Sequence, residues 1–401
     1  MESCIERLYA GLLDDATVLI KKSDSLRSVS NVEDQLNEKR EDVSWELVLR
    51  NGNIVNTMKG FCGVVLRIQV GEESVIVKLA STNGKMRPLL KNQYRNEVEF
   101  CRWLMMKKKV DGLPKIFASG YLNEEEQLFY IVMEDCGIGE MDQLSDCSIE
   151  DASNILRHWQ RVQLEIGSNL SDLNVRSLFY SFINGVLFFE FNSLLEKEEN
   201  LDKYLVETVC AKVEGDWTIF LDVIKELDWS TYSDTILQHF HTRIELPNLV
   251  ANIKNSLSYL QNDQAFAVHG DFRLENIIKK GNSVKFIDFQ SLSKGPCSYD
   301  LSHFTAQSIS IQKRRTVEES LLREYFESLS GNKLSWESFL ESYKHCIVLQ
   351  MCYCVLGIGS HWKYYLQSGK LKDPQFLKEK SARVGMDIIA RTCHLYIDHF
   401  Q

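Results

Sequence analysis

The chain has 401 residues, is 44% hydrophobic and 25% charged, and carries a formal net charge of −10 at pH 7. That length allows two or three domains or one large two-lobed unit with a sizeable core. The acidic balance argues against broad contact with nucleic acid or an anionic membrane, both of which call for basic surface. Eleven cysteines occur with no C-x-x-C pair, and Cys352 and Cys354 stand too close for a zinc knuckle. They read as free thiols of a reducing compartment, which points to the cytoplasm. The stretch from Met1 to Arg7 lacks a basic region followed by an apolar core, so no signal peptide is expected.

Residues 1–42 read as an N-terminal helix, spaced by Ile5, Leu8, Leu12 and Leu13, followed by a polar connector. A strand is expected within Ser44–Val55. Gly60-Phe61-Cys62-Gly63 then leads into an apolar hairpin, Val64–Val70 and Val75–Ala80. The two glycines read either as a plain turn or as a loop that lets backbone N–H groups approach phosphates. Lys78 sits inside the apolar return strand. Burial of a lysine is costly unless it is paired, and the alternative is an edge-strand lysine reaching water. The next helix, expected over about 91–109, offers Glu97 and Glu99 as partners. They point in different directions, and Tyr94, Val98 and Cys101 flank Glu97. Two further strands follow, 115–121 and 127–133. The second breaks into Glu134-Asp135-Cys136-Gly137, which suits a hinge whose backbone could meet adenine, or a plain strand exit.

Helical spacing dominates from Ile149 onward, with Ser148 as N-cap and Asp151 three residues on. Helices are expected at about 149–166, 176–196, 202–228, 246–262, 315–330, 335–366 and 375–399. The apolar run Val175–Leu195 is interrupted by Arg176, Asn184, Glu190 and Asn192, so it reads as a buried helix and not as a membrane span.

The stretch that breaks this helical series carries the chemistry. His269-Gly270-Asp271 is followed by Asn276, a short polar turn, and Phe286-Ile287-Asp288-Phe289-Gln290. A loop bearing Asp271 and Asn276, then a hairpin returning Asp288, supplies what phosphoryl transfer requires. One carboxylate orients and deprotonates the attacking hydroxyl, while a second carboxylate and an amide oxygen hold Mg²⁺ on the nucleotide phosphates. The five-residue step from Asp271 to Asn276 matches a kinase catalytic loop. Gly295-Pro296 reads as a turn, and Asp300 as a residue that caps the next helix or braces the loop. No G-x-x-x-x-G-K-[ST] and no G-x-S-x-G occur, which removes the P-loop and the serine-hydrolase elbow.

These motifs, with Asp300-Leu301, resemble the choline kinase and aminoglycoside phosphotransferase superfamily, and within it the ecdysteroid kinase-like (CHK kinase-like) group, to which Asp-Phe-Gln after the hairpin points. The resemblance implies an α+β, protein-kinase-like two-lobed fold: a β-rich nucleotide lobe over 43–136 and a mostly helical lobe over 137–401. It implies that Asp271 is the catalytic base, that Asn276 and Asp288 bind Mg²⁺, and that Lys78, steadied by Glu97, contacts ATP phosphates. The backbone of Glu134 and Cys136 would meet adenine, Gly60 and Gly63 would belong to the nucleotide loop, and His269 would brace the catalytic loop. Gly60-Phe61-Cys62-Gly63 is a sparse match to the family's loop. The absence of Asp-Phe-Gly and Ala-Pro-Glu argues against protein substrates.

The expected activity is therefore ATP- and Mg²⁺-dependent phosphorylation of a small-molecule hydroxyl, on an ecdysteroid-like or other lipophilic alcohol. Choline, ethanolamine or aminoglycoside acceptors, or a catalytically silent pseudokinase, are the alternatives. Trp159, Tyr180, Phe188, Phe189, Trp217, Tyr353, Trp362, Tyr364 and Tyr365 could line an apolar acceptor pocket or form core. Glu165, Glu190 or Asp222 could serve a cationic acceptor.

Overall fold

The computed structural model describes residues 51–59, 63–81, 83–84, 87–88, 90–107, 110–141, 143–144, 146–173, 175–187, 201–227, 229, 240–262, 266–329 and 334–401. The N-terminal helix expected over residues 1–20 and the glycine Gly60 lie outside them. The chain divides into two compact units, one running through Ile138 together with Ile287–Gln290, the other comprising Gly139–Phe286 and Ser291–Gln401.

The first unit is a five-stranded antiparallel sheet in the order β1-β2-β3-β5-β4. Its strands are β1 (Asn53–Lys59), β2 (Gly63–Val70), β3 (Glu73–Ala80), β4 (Ile116–Asn123) and β5 (Leu128–Glu134). Val64, Leu66, Ile68 and Val70 alternate on β2 and are buried, as are Val75, Val77 and Leu79 on β3. This period of two gives the sheet one apolar face. Helix α1 (Lys91–Met106) lies between β3 and β4 in the chain, and its Tyr94, Glu97, Val98, Cys101 and Leu104 are buried at helical spacing. Tyr94 packs on Phe129 of β5, with ring centroids 4.6 Å apart. The edge strand β1 overlaps the end of the stretch 44–55 where a strand was expected, of which residues 44–50 lie outside the described residues. Its exposed residues, with a register shift between Ile54 and Asn56, lack the apolar alternation that marks an inner strand.

Gly63 opens β2 at a point of close backbone approach. A Cβ added there would stand 2.3 Å from the Leu79 carbonyl oxygen. Gly63→Ala should therefore lower the melting temperature of the protein by several degrees, read by thermal unfolding, because the two central strands would have to separate. A wild-type melting point would show that the strands tolerate the methyl group.

The second unit is mostly helical. Its helices are α2 (Ile149–Gly167), α3 (Leu178–Val186), α4 (Leu201–Glu226), α5 (Phe240–Arg243), α6 (Leu246–Leu260), α7 (Ser298–Gln307), α8 (Ile311–Ser328), α9 (Trp336–Gln367) and α10 (Lys380–Phe400). Ser148 caps α2, its hydroxyl accepting from Asp151 N at 3.0 Å. The helix expected at 315–330 begins at Ile311, and the one expected at 375–399 begins at Lys380, after two 3₁₀ turns at Lys370–Lys372 and Phe376–Lys378. In the apolar run Val175–Leu195 the helix α3 covers nine residues, and residues 188–200 lie outside the described set. Among the described residues no helix is long and apolar enough to cross a membrane. Two small antiparallel pairs interrupt the helices: β6 (Phe266–Val268) with β9 (Ser293–Gly295), and the hairpin of β7 (Ile277–Lys280) with β8 (Ser283–Phe286). These pairings carry the loop with the charged residues.

Candidate active site

In the first unit three distant residues meet. Lys78, on β3, places its Nζ 2.7 Å from Glu97 Oε1 on α1 and 2.7 Å from Asp288 Oδ1. Lys78 is 8% exposed and Glu97 3% exposed. Glu99 turns the other way, to Arg95 at 3.0 Å. The helix stripe explains the choice, since Glu97 lies among the buried residues of α1 and Glu99 does not. Burial works against a charged Lys78, yet Asp288 and Glu97 outweigh it and hold the ammonium well above its ordinary range. Burial pushes the Glu97 carboxyl up to about 7, with Lys78 pulling it down and Asp288 adding to the rise. One ammonium is thus shared by two carboxylates.

Asp288 adopts φ +69°, the left-handed region that non-glycine residues rarely enter. Its neighbour Phe289 packs on Phe100 of α1 with centroids 4.3 Å apart, and Asn96 Nδ2 donates to Gln290 O at 3.4 Å. These contacts fix the Asp-Phe-Gln segment on α1. At the end of β5, Glu134 N donates to Lys115 O at 2.8 Å, so that donor is committed to the sheet. Cys136 directs its Sγ toward Glu134 O at 3.9 Å. The residue between them, Asp135, is the anchor that the sequence reading missed. It binds Arg67 of β2, Ser74 of β3 and the backbone N–H of Gly137. Gly63 stands inside β2, paired with Ala80, and its missing side chain serves strand contact.

In the second unit the loop between β6 and β7 carries Asp271. Phe272 is buried and stacks among Trp159, Phe286 and Phe304 at 5.0–5.6 Å. Trp159 is therefore core here, and so are Trp217 and Trp362, whereas Tyr353 and Tyr364 are exposed. His269 is fully buried, and its Nδ1 accepts from Asp271 N at 3.3 Å. Gly270 has φ +83°, and a Cβ there would meet Ser291 O at 2.6 Å, so only glycine fits the turn. Asn276 Nδ2 donates to both Asp271 O and Asp271 Oδ2, at 2.8 and 2.9 Å. Its amide oxygen makes no hydrogen bond among the described residues. Arg273 Nε lies 3.1 Å from Asp271 Oδ1, and Arg273 Nη1 lies 3.1 Å from Glu275. Burial opposes the charge on Asp271, but Arg273, His303 and His269 override it and hold the carboxyl well below the usual range. Arg273 and His303 were given no role from the sequence, because neither sits at a motif position and His303 lacks metal-ligand spacing.

Asp300, in the first turn of α7, is fully buried and accepts from His269 N at 2.8 Å and Gly270 N at 3.0 Å. It thereby braces the loop. Burial pushes its carboxyl up to about 7, with the two backbone donors working against the rise. The native state then keeps a proton between pH ~4 and ~7 that an unfolded carboxyl has already lost. The stability gained from this is full below pH ~4 and declines as pH rises through about 7. Asp300→Asn should flatten that part of the stability–pH curve, measured as the urea midpoint at several pH values. An unchanged slope would place the titration elsewhere.

Among the described residues no three His, Cys, Asp or Glu side chains cluster as a metal site. A magnesium site needs no such cluster, since Mg²⁺ is bound through one or two protein oxygens plus phosphates and water. Asp288 fits that demand. Its side chain is 28% exposed, and only Oδ1 is engaged, by Lys78. The second carboxylate on one ammonium also leaves a negative charge for a cation to offset.

An antiparallel sheet whose third strand carries a lysine ion-paired to a glutamate on the following helix is the nucleotide-side arrangement of protein kinases. The chain is an α+β protein with this protein-kinase-like organisation. Residues 191–335 match the model of the ecdysteroid kinase-like family, and that stretch contains the His269–Asp300 motifs. The chain is similar to this family, as its motifs suggested. Over 138 residues it is 25% identical to an uncharacterised kinase-like protein of Caenorhabditis elegans, covering 32% of this chain and 36% of the relative. The chain thus spans little more than a third of the length of the curated relative it matches. Among solved structures, an ethanolamine kinase of Plasmodium vivax aligns with 92% of this chain and 95% of its own, at 11% identity and a TM-score of 0.43. A spectinomycin phosphotransferase in complex with ADP and spectinomycin aligns with 88% of this chain and 100% of its own, at 12% identity and a TM-score of 0.42.

Proposed function

We propose that this chain is an ATP- and magnesium-dependent kinase that phosphorylates a hydroxyl of a small molecule, with an ecdysteroid-like or other lipophilic alcohol as acceptor. The observation that carries this reading is the meeting of Lys78, Glu97 and Asp288, residues 19 and 210 positions apart, on one shared ammonium. Burying Lys78 and Glu97 beside a third ionisable group is costly, and kinase chemistry gives each of the three a task. Lys78 holds the α- and β-phosphates, and Glu97 keeps Lys78 extended from β3. Asp288 and the amide oxygen of Asn276 are the groups that would hold Mg²⁺, which when bound offsets charge developing on the transferred phosphoryl group. Asp271 accepts the proton of the acceptor hydroxyl as its oxygen attacks the γ-phosphorus, and ADP departs with the electron pair of the broken P–O bond. The donor from Asn276 to Oδ2 leaves Asp271 little rotational freedom while this happens.

The match to the ecdysteroid kinase-like family supports a neutral lipophilic acceptor. Of the acidic residues considered for a cationic acceptor, Glu165 is exposed, Asp222 pairs with Lys225 at 3.4 Å, and Glu190 lies outside the described residues. The described cysteines form no disulfide with one another, and the cytoplasm is the location we propose. The test is incubation with γ-labelled ATP, Mg²⁺ and a panel of ecdysteroids, other lipophilic alcohols, choline, ethanolamine and aminoglycosides, with products identified by mass spectrometry. A phosphate ester on an ecdysteroid or other lipophilic alcohol is the expected result. Esters on choline, ethanolamine or aminoglycosides alone would move the acceptor class. Magnesium-dependent ATP binding without any ester would favour a silent binding protein.

A further inference from the structure

His303 lies on α7, one turn beyond Asp300, and is 4% exposed. Both ring nitrogens are buried and have no hydrogen-bond partner among the described residues. Its Nε2 stands 3.5 Å from Asp271 Oδ1. A buried polar group left unpaired costs about 1–3 kcal/mol, so the packing of α7 would be served better by an apolar side chain. Leu301 and Phe304 on the same helix are fully buried without such a penalty. Arg273 also reaches Oδ1, but it is 28% exposed, shared with Glu275 and long, which makes it a poor locator. A rigid, buried imidazole is a better one.

We propose that His303 is a positioning residue for Asp271, donating from Nε2 to Oδ1 while Asn276 donates to Oδ2, so that the carboxylate plane is fixed from both sides. This rests on Asp271 being the group that accepts the acceptor's proton. A separation of 3.5 Å is long for the bond, and contacts of this kind tighten when substrates bind. The remaining lone pairs of the carboxylate then face the incoming hydroxyl in a single orientation. Nothing in this role requires the imidazole to change its charge.

The test has two arms on the full chain. In the first, ¹⁵N spectra of the histidine rings are taken for the wild type and for Asp271→Asn, with the His303 signal assigned by its loss in His303→Gln. The expected result is a ring carrying a proton on Nε2, whose Nε2 resonance moves in Asp271→Asn. An Nε2 without a proton, or a His303 signal indifferent to Asp271→Asn, overturns the proposal. This arm needs no turnover and no folded His303→Leu.

The second arm measures phosphate release from MgATP, with water as acceptor. His303→Leu should lower kcat about tenfold to a hundredfold, the scale of a misplaced reacting group, with KM for ATP unchanged. His303→Gln should keep most of the rate, because its amide nitrogen can donate from a similar place. Equal loss in both variants, or loss in neither, overturns the positioning role. Loss in Asp271→Asn without loss in His303→Leu removes this inference alone. Full turnover in Asp271→Asn removes the reading of Asp271 itself and the positioning role with it.

Discussion

Replacing Asp271 by asparagine should lower phosphoryl transfer by about 10²–10⁴-fold, the usual contribution of a positioned general base, which is roughly 3–5 kcal/mol in the barrier. Nucleotide affinity should stay unchanged, because the partners of Asp271 are Asn276, Arg273, His269 and His303, and the lysine proposed to hold the phosphates is set by Glu97 and Asp288. The low proton affinity of its carboxyl shapes the expectation. Burial opposes the charge, yet Arg273, His303 and His269 hold the carboxyl well below the usual range, which in the proposed reaction suits a group that orients the hydroxyl before it takes the proton. Single-turnover transfer and ATP titration, measured side by side, separate the two effects. Equal loss of affinity and rate would show that Asp271 supports nucleotide binding.

Lys78→Met should have the second large effect, on both stability and nucleotide binding. Removing the ammonium leaves Glu97 buried without its cation, and breaking a buried pair costs about 3–5 kcal/mol. Part of that loss is softened because burial already pushes the Glu97 carboxyl up to about 7, which lets it take a proton instead. The double variant Lys78→Met/Glu97→Gln should therefore regain much of the stability while still binding ATP poorly. Chemical unfolding reads the first quantity and calorimetric titration with MgATP the second. A double variant that regained affinity would assign Lys78 a purely structural part.

The pair of Lys78 and Glu97 could be read from the sequence because both the strand alternation and the helix stripe are local patterns, and each residue sits at a defined phase within its own. Asp271, Asn276 and Asp288 stood out as candidates for a related reason, since motif spacing compresses a loop and hairpin into eighteen consecutive positions. Other features lay beyond such patterns. Asp135 anchors the end of β5 through Arg67 and Ser74, partners that pairing of β2, β3 and β5 brings near. His303 reaches Asp271 only because Asp300, on the same helix, is tied to His269 and Gly270. A tertiary meeting of this kind leaves no trace in periodicity. The aromatics divided likewise: Trp159 proved to be core around Phe272, the reading the sequence favoured over a pocket wall.

The starts of α8 and α10 were misplaced, and the bounds of the edge strand β1 left open, for simpler reasons. An edge strand exposed along most of its length shows no alternation, and helix ends depend on capping contacts more than on composition.

The most direct measurement is transfer of label from γ-labelled MgATP to alcohols of a small-molecule extract, with wild type and Lys78→Met compared in the same experiment. A phosphate ester formed by the wild type and absent with Lys78→Met is the expected outcome. Ester formed equally by both, or by neither while the wild type binds MgATP, would contradict a phosphoryl-transfer role for this chain.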